Sequence, residues 1–320
     1  MTLNSTAPVS PLAALLAAAL LLCTGCSNSP TLSNPDDSQT TSPGDATQDS
    51  NTQQTTLTDK TDRTSPVTPE ELKRQLNCWQ AEFRMQGTDI TEASLYQSGI
   101  RNIAPLKGLP LIAIDLGMTQ VTDLSPLAGM QLQKLDLENT PVADISILRD
   151  MPLTVLKMQK TKISDFAVLE QMPLQQLNLL DLPFNNSHLA LLKNAPLETL
   201  WLAGTQVTEL HAIPLDKLES LDIARTAVSS LAPLTAATRL KRLNITDTPI
   251  ADLTPLANLR LQRITLTPER ITQGFDALRK MPSLTQIQTD IAEPLSAEDF
   301  WKRFDQGLYQ PQTTQPQEPK

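Results

Sequence analysis

Apolar residues recur along the middle of this chain in one frame, apolar-x-x-apolar-x-apolar. The frame is filled by Leu111/Ile114/Leu116, Leu132/Leu135/Leu137, Leu153/Leu156/Met158 and Leu174/Leu177/Leu179. It continues at Leu197/Leu200/Leu202, Leu218/Leu221/Ile223, Leu240/Leu243/Ile245 and Leu261/Ile264/Leu266. Successive frames lie 21, 21, 21, 23, 21, 22 and 21 residues apart, a period too regular to be accidental. Five residues after a frame comes another apolar position: Val121, Val142, Ile163, Phe184, Val207, Val228 or Ile250. Segments of the type Asp-Leu-Ser-Pro-Leu follow, as at residues 123–127 and, with Thr for Ser, 252–256. A degenerate earlier copy is visible at Ile90, Leu95, Ile100 and residues 102–106, and Leu284 and Ile287 open a closing one.

The spacing dictates the architecture. Alternating inward residues predict a short strand that stacks beside the same strand of the next copy in a parallel sheet. The chain must then return along the opposite face within about a dozen residues, too few for a full helix and its two turns. Pro105, Pro126, Pro233 and Pro255 fit a single 3-10 turn or extended chain there. An array of paired amphipathic helices is excluded, because 21-residue units punctuated by Pro and Thr cannot hold two of them. No single copy buries its apolar row alone, so stability comes from stacking of neighbours.

Together these copies resemble the short bacterial leucine-rich repeats, of the general type of the internalins. Where many such families place Asn after the strand, this chain has Thr119, Thr140, Thr161, Thr205, Thr226 and Thr248. A hydroxyl still meets turn backbone groups, though less completely than an amide. This Thr-containing variant is similar to arrays in planctomycete-like bacteria, as is the closing segment around residues 271–279 and 300–307. The resemblance implies a fold of the α/β repeat class: a leucine-rich-repeat solenoid with a parallel concave sheet, short 3-10 or extended convex turns, and helical caps at both ends. It implies binding of partners rather than catalysis. Some such arrays are joined to protein kinases, but no kinase signature is present here.

A solenoid needs covers at its ends. Thr68-Pro-Glu-Glu71 is a capping box that opens a helix, with Leu72, Leu76, Trp79 and Phe83 expected on one face. Ser296 opens a second short helix carrying Phe300, Trp301 and Phe304. Cys78, in the first cap, is expected to act as a small buried hydrophobe. The organisation expected is a signal at 1–26, a disordered tether at 27–66, an N-terminal helical cap at 67–89, repeats at 90–290, a C-terminal cap at 291–308 and a disordered tail at 309–320.

The first segment is an address. It contains no Asp, Glu, Lys or Arg before Cys26, and its apolar run at residues 12–23 spans about 18 Å as a helix, short of a ~30 Å hydrocarbon core. That length suits a secretory signal. Its end, Thr24-Gly25-Cys26, resembles the lipobox of bacterial lipoproteins, which implies lipidation of Cys26. Two departures are a Cys at position 23, where Leu is usual, and the lack of a basic start; a plain secretory signal cleaved nearby is the alternative. Residues 27–66 are Ser, Thr, Asn, Gln, Asp and Pro with almost nothing to bury, hence the expected tether of roughly 30–40 Å. Lipid, tether and module together predict an exported protein held at a membrane of the cell envelope.

Composition narrows the chemistry. The chain is 40% apolar but 3% aromatic, so its core is aliphatic, and its net charge of -9 argues against nucleic acid as a ligand. His188 and His211 are its two histidines, and no metal, phosphate-loop or nucleophile motif is found. No catalytic residue, metal or cofactor is assigned.

Function is expected on the concave face, whose outward positions follow from the two-residue alternation. The central column reads Asp115, Asp136, Lys157, Asn178, Trp201, Asp222, Asn244 and Thr265, flanked by Val155, Glu138, Leu180, Arg242 and Arg263. The first half is acidic and the last repeats are basic, with Trp201 near Leu180 between them. A Trp on such a face is a common anchor, since it buries large area at low entropic cost. The expectation is a protein partner, or an envelope polymer. The alternatives are a self-assembling envelope component without a discrete ligand, and an enzyme built on Asp115 and Asp136.

Overall fold

The computed structural model describes residues 67–289 and 294–309. The signal-like segment with Cys26, the tether and residues 310–320 lie outside them. The described strands are β1 (Glu82–Gln86), β2 (Asp89–Ser94), β3 (Ala113–Asp115), β4 (Lys134–Asp136), β5 (Val155–Lys157) and β6 (Gln176–Asn178). They continue as β7 (Thr199–Trp201), β8 (Ser220–Asp222), β9 (Arg242–Asn244), β10 (Arg263–Leu266), β11 (Gln286–Thr289) and β12 (Leu295–Ser296). All join one sheet in chain order. Every pair from β2 to β11 is parallel, while β1 and β12 close the two ends antiparallel. This is the leucine-rich-repeat solenoid that the period predicts.

Each repeat is built the same way. The centre of every three-residue strand points inward and is buried, as at Ile114, Leu135, Leu156, Leu177, Leu200, Leu221 and Leu243. The apolar residue two positions on, such as Leu116 or Leu137, is buried below it. Return segments use 3-10 turns, including Ala104–Leu106, Ser125–Leu127, Ala232–Ala236 and Thr254–Leu256, each with Pro in its first two positions. The preceding Asp accepts from the backbone: Asp123 from Ser125 N at 2.8 Å, Asp144 from Ser146 N at 2.8 Å, Asp252 from Thr254 N at 2.7 Å. The N–H and then the hydroxyl of Ser125 and of Ser146, and the hydroxyl and then the N–H of Thr254, hold the three carboxyls below their ordinary range.

The threonine column has a specific job. Thr119, Thr140, Thr161, Thr205, Thr226 and Thr248 each donate Oγ1–H to the carbonyl three residues back, at 2.6–2.8 Å. The residue just before each Thr lies in the left-handed region: Met118, Asn139, Lys160, Gly204, Arg225 and Asp247. That geometry turns the chain out of the strand, and the hydroxyl satisfies a carbonyl that the turn leaves behind. In the 23-residue repeat, buried Leu182 takes the Thr position. There the chain forms a short α-helix, α2 (Asn186–Leu189), capped by Asn185. Phe166 and Phe184 meet edge-on at 5.1 Å, with the His188 ring against both. The two extra residues thus fall in the segment that carries His188 into this aromatic cluster.

At the N-terminal end, α1 (Pro69–Gln75) is capped by Thr68 and packs on the first 3-10 turn through Leu72. The cap differs from the expected single helix. Asn77, at φ 49°, ends it, so only Leu72 and Leu76 share the buried face. Trp79 falls in the following turn, 69% exposed, and Phe83 lies on β1. Cys78 is buried as a free thiol. At the other end, α3 (Phe275–Arg279) belongs to the last repeat, and α4 (Ala297–Asp305) is capped by Ser296. Phe300 of α4 is fully buried, stacked with Tyr309, while Trp301 and Phe304 close on Phe275. No helix among the described residues is long and apolar enough to cross a membrane.

Candidate interaction face

The parallel register places Asp115, Asp136, Lys157, Asn178, Trp201, Asp222, Asn244 and Thr265 side by side across eight strands. Val155, Arg242 and Arg263 stand two residues earlier on their strands, Glu138 and Leu180 two residues later. Five members of the central column share a structural role. Asp115, Asp136, Asn178, Asp222 and Asn244 each accept, through Oδ1, from the backbone N–H two residues on, at 2.9–3.1 Å. The side chain that leaves the strand outward is folded back to cap its own turn. The acidic half of the face is thereby drawn in: Asp115, Asp136 and Asn178 are buried.

Lys157, Trp201 and Thr265 break this ladder. Lys157 Nζ reaches back to Asp136 Oδ2 at 3.0 Å. Its place leaves Gln159 with no such cap, and Gln159, 6% exposed, has an Oε1 that is buried without a hydrogen bond. Trp201 gives Ala203 N no side-chain acceptor, and its half-buried indole makes no ring contact among the described residues. Leu180, half-buried, lies on the neighbouring repeat, where Leu179 N donates to Trp201 O. Arg242 and Arg263 face each other directly but diverge, toward Ser220 Oγ at 3.3 Å and Gln286 Oε1 at 2.7 Å.

Electrostatics concentrate at the N-terminal end of the face. Burial, with Asp136 opposite, pushes the Asp115 carboxyl up to about 6 against the opposing pull of Gly117 N–H and Lys157. Burial also raises Asp222, countered by the Ala224 amide. Sequence reasoning missed Tyr96, which the register of β2 on β3 puts in the column of Gly117 and Glu138. Its ring lies over Gly117, where a Cβ would meet Cδ2 at 3.1 Å, and its hydroxyl reaches Met118 Sδ at 2.9 Å. Burial and the charges of Glu138, Asp115 and Asp136 raise its phenol pKa. The signal was present in the frame, since Tyr96 follows Leu95 as Gly117 follows Leu116, but the first copy is the most degenerate one. No group of His, Cys, Asp and Glu suited to a metal ion is found among the described residues.

No protein-family model matches the chain, and no curated protein matches it. Among solved structures, an internalin (inlF) from Listeria monocytogenes is 22% identical over 70% of this chain and 76% of its own, with a TM-score of 0.52. Internalin C2 from the same organism is 25% identical over 62% of this chain and 80% of its own, TM-score 0.43. A leucine-rich-repeat protein from Leptospira interrogans is 19% identical over 58% and 50%, TM-score 0.43. The likeness to the first of these establishes the leucine-rich-repeat fold.

Proposed function

We propose that this chain is an exported binding module, anchored to a membrane of the cell envelope through a lipid on Cys26, that takes a protein partner on the concave face of its sheet. The observation that carries this reading is Trp201. In the column where five other side chains cap their own turns, an indole stands instead, and a backbone N–H goes without its side-chain acceptor. A local rule broken without a structural gain marks a position held for another purpose. A half-buried Trp beside Leu180 offers apolar area and an indole donor within one patch, the composition of an interface anchor.

Capture from the envelope of the native organism tests this, with the protein as bait beside Trp201→Ala and a convex-side control, Ile147→Ala. The expected result is a partner held by the parent and by Ile147→Ala and lost by Trp201→Ala. Equal retention by all three baits would sink the proposed site. Concentration-dependent self-association with no captured partner would instead favour the structural role. Metabolic labelling with a radioactive fatty acid, lost in Cys26→Ala, checks the anchor.

A further inference from the structure

The N-terminal end of the same face has a different chemistry from the Trp201 patch. Asp115, Asp136 and Glu138 present three carboxylates against one cation in contact, Lys157, which is committed to Asp136. Lys134, one column away, is exposed and pairs with none of them within 4 Å. Asp115 uses Oδ1 on Gly117 N and leaves Oδ2 without a hydrogen bond, although the residue is only 8% exposed. In the next column, Gln159 follows Glu138 on the neighbouring repeat and carries the buried, unpartnered Oε1. These unfilled atoms are all acceptors. A buried acceptor without a donor costs about 1–3 kcal/mol, so Gln159 Oε1 marks a site short of N–H groups, not of oxygens. Tyr96 borders the set, 46% exposed, its ring held by Gly117 beside Asp115. Carboxylates beside an aromatic ring suit a cation that is both a hydrogen-bond donor and a flat or alkyl-stemmed group.

We infer that the end of the face formed by Tyr96, Asp115, Glu138 and Gln159 receives a lysine or arginine side chain from a basic segment of the protein partner. This rests on the proposed binding function and specifies its partner. The guanidinium or ammonium donates to Asp115 Oδ2, Glu138 and Gln159 Oε1, and its stem lies against the Tyr96 ring. The apolar anchor at Trp201 then sits further along the same bound segment.

A display library of random peptides selected against the protein at pH 7.5 tests the inference separately from Trp201. Enriched peptides are expected to carry Lys or Arg. Their affinity should fall about tenfold or more in Asp115→Asn/Glu138→Gln, which keeps the turn caps, and fall again when salt rises. Thermal unfolding of the double variant confirms that it folds. Enrichment of peptides without basic residues, failure to enrich any, or equal binding by the double variant would overturn the inference. If Trp201→Ala abolishes binding in those cases, the general reading stands and only the partner chemistry fails. Basic peptides lost by Asp115→Asn/Glu138→Gln but kept by Trp201→Ala would uphold this inference and move the anchor away from Trp201.

Discussion

Asp115 and Asp136 stand directly opposite each other on β3 and β4, and each holds a turn amide through Oδ1 at 2.9 Å. They differ in their charge environment. Asp136 has Lys157 at 3.0 Å, while Asp115 has no cation in contact and a carboxylate for its neighbour. The structural role needs only a carbonyl-like oxygen, as Asn178 and Asn244 show by filling it with amides. The charge at Asp115 is therefore a net cost to the fold.

Asp115→Asn is expected to stabilise the protein at neutral pH. The carboxyl has its pKa raised from 3.8 to about 6 in the folded state, so folding favours its protonated form. A raised carboxyl pKa subtracts stability above the folded value, and the loss disappears as pH falls through the window from about 6 to 3.8. At 1.36 kcal/mol per pH unit, the full penalty is on the order of 3 kcal/mol. Urea unfolding of both proteins at pH 7.5 and pH 4 checks it. The variant should lead at pH 7.5 and draw level at pH 4, and an equal gap at both would refute the electrostatic cause.

Trp201→Asn separates binding from folding more sharply than truncation does. Asn restores the missing acceptor for Ala203 N in the geometry that Asn178 and Asn244 already use, a bond of about 1 kcal/mol. The indole's loss removes only half-buried area. Stability should stay level or rise while partner capture is lost. Leu200→Ala, one residue earlier and fully buried, should cost about 2–5 kcal/mol. A large loss of thermal stability in Trp201→Asn would show that the indole serves the core.

The repeat, its strands and the inward row were legible in the sequence because one period repeats over the whole array, and errors in any one copy are averaged out. The return turns were legible for a similar reason, as proline at Pro105, Pro126, Pro233 and Pro255 leaves few options. What the alternation could not show was where an outward side chain goes after it leaves the strand. Asp115 and Asp136 begin on the open face and end as turn caps, since a short polar side chain two residues before a turn N–H prefers that bond to water. Tyr96 escaped notice because its copy lacks the regular frame. The helix ending at Gln75 escaped because Asn77 adopts a left-handed conformation, which periodicity does not report.

The threonine column predicts a graded response. In Thr140→Val the shape is kept, but Leu137 O loses its 2.7 Å donor in a buried setting and keeps only the longer Thr140 N–H at 3.2 Å. The expected loss is about 1 kcal/mol. Thr161, half-buried, makes the same bond to Met158 O at 2.8 Å, where water can replace the donor. Thr161→Val should therefore cost less, and calorimetry on the two variants resolves the order. The reverse order would show that packing of the methyl group, not the hydroxyl, sets the contribution.

Gly204 tests how far stacking couples repeats that are not adjacent. It sits at φ 68°, and a Cβ there would come 2.1 Å from Asp181 Oδ1. Asp181 and Arg225 form an ion pair at 3.1 Å across it, joining the repeats on either side of its own. Gly204→Ala must therefore bear two burdens: about 1–2 kcal/mol for a left-handed alanine, and displacement of the Asp181 carboxylate from a surface pair worth up to about 1 kcal/mol. Gly129→Ala, at φ 74° with nothing within 4 Å of its Cβ, bears only the first. Urea unfolding should rank Gly204→Ala below Gly129→Ala. In an Asp181→Ala background only the flexible Arg225 guanidinium stands near the new Cβ, at 3.3 Å, so the cost of Gly204→Ala should fall toward that of Gly129→Ala. If the cost is unchanged in that background, backbone strain alone accounts for the glycine and the Asp181–Arg225 pair holds nothing across it.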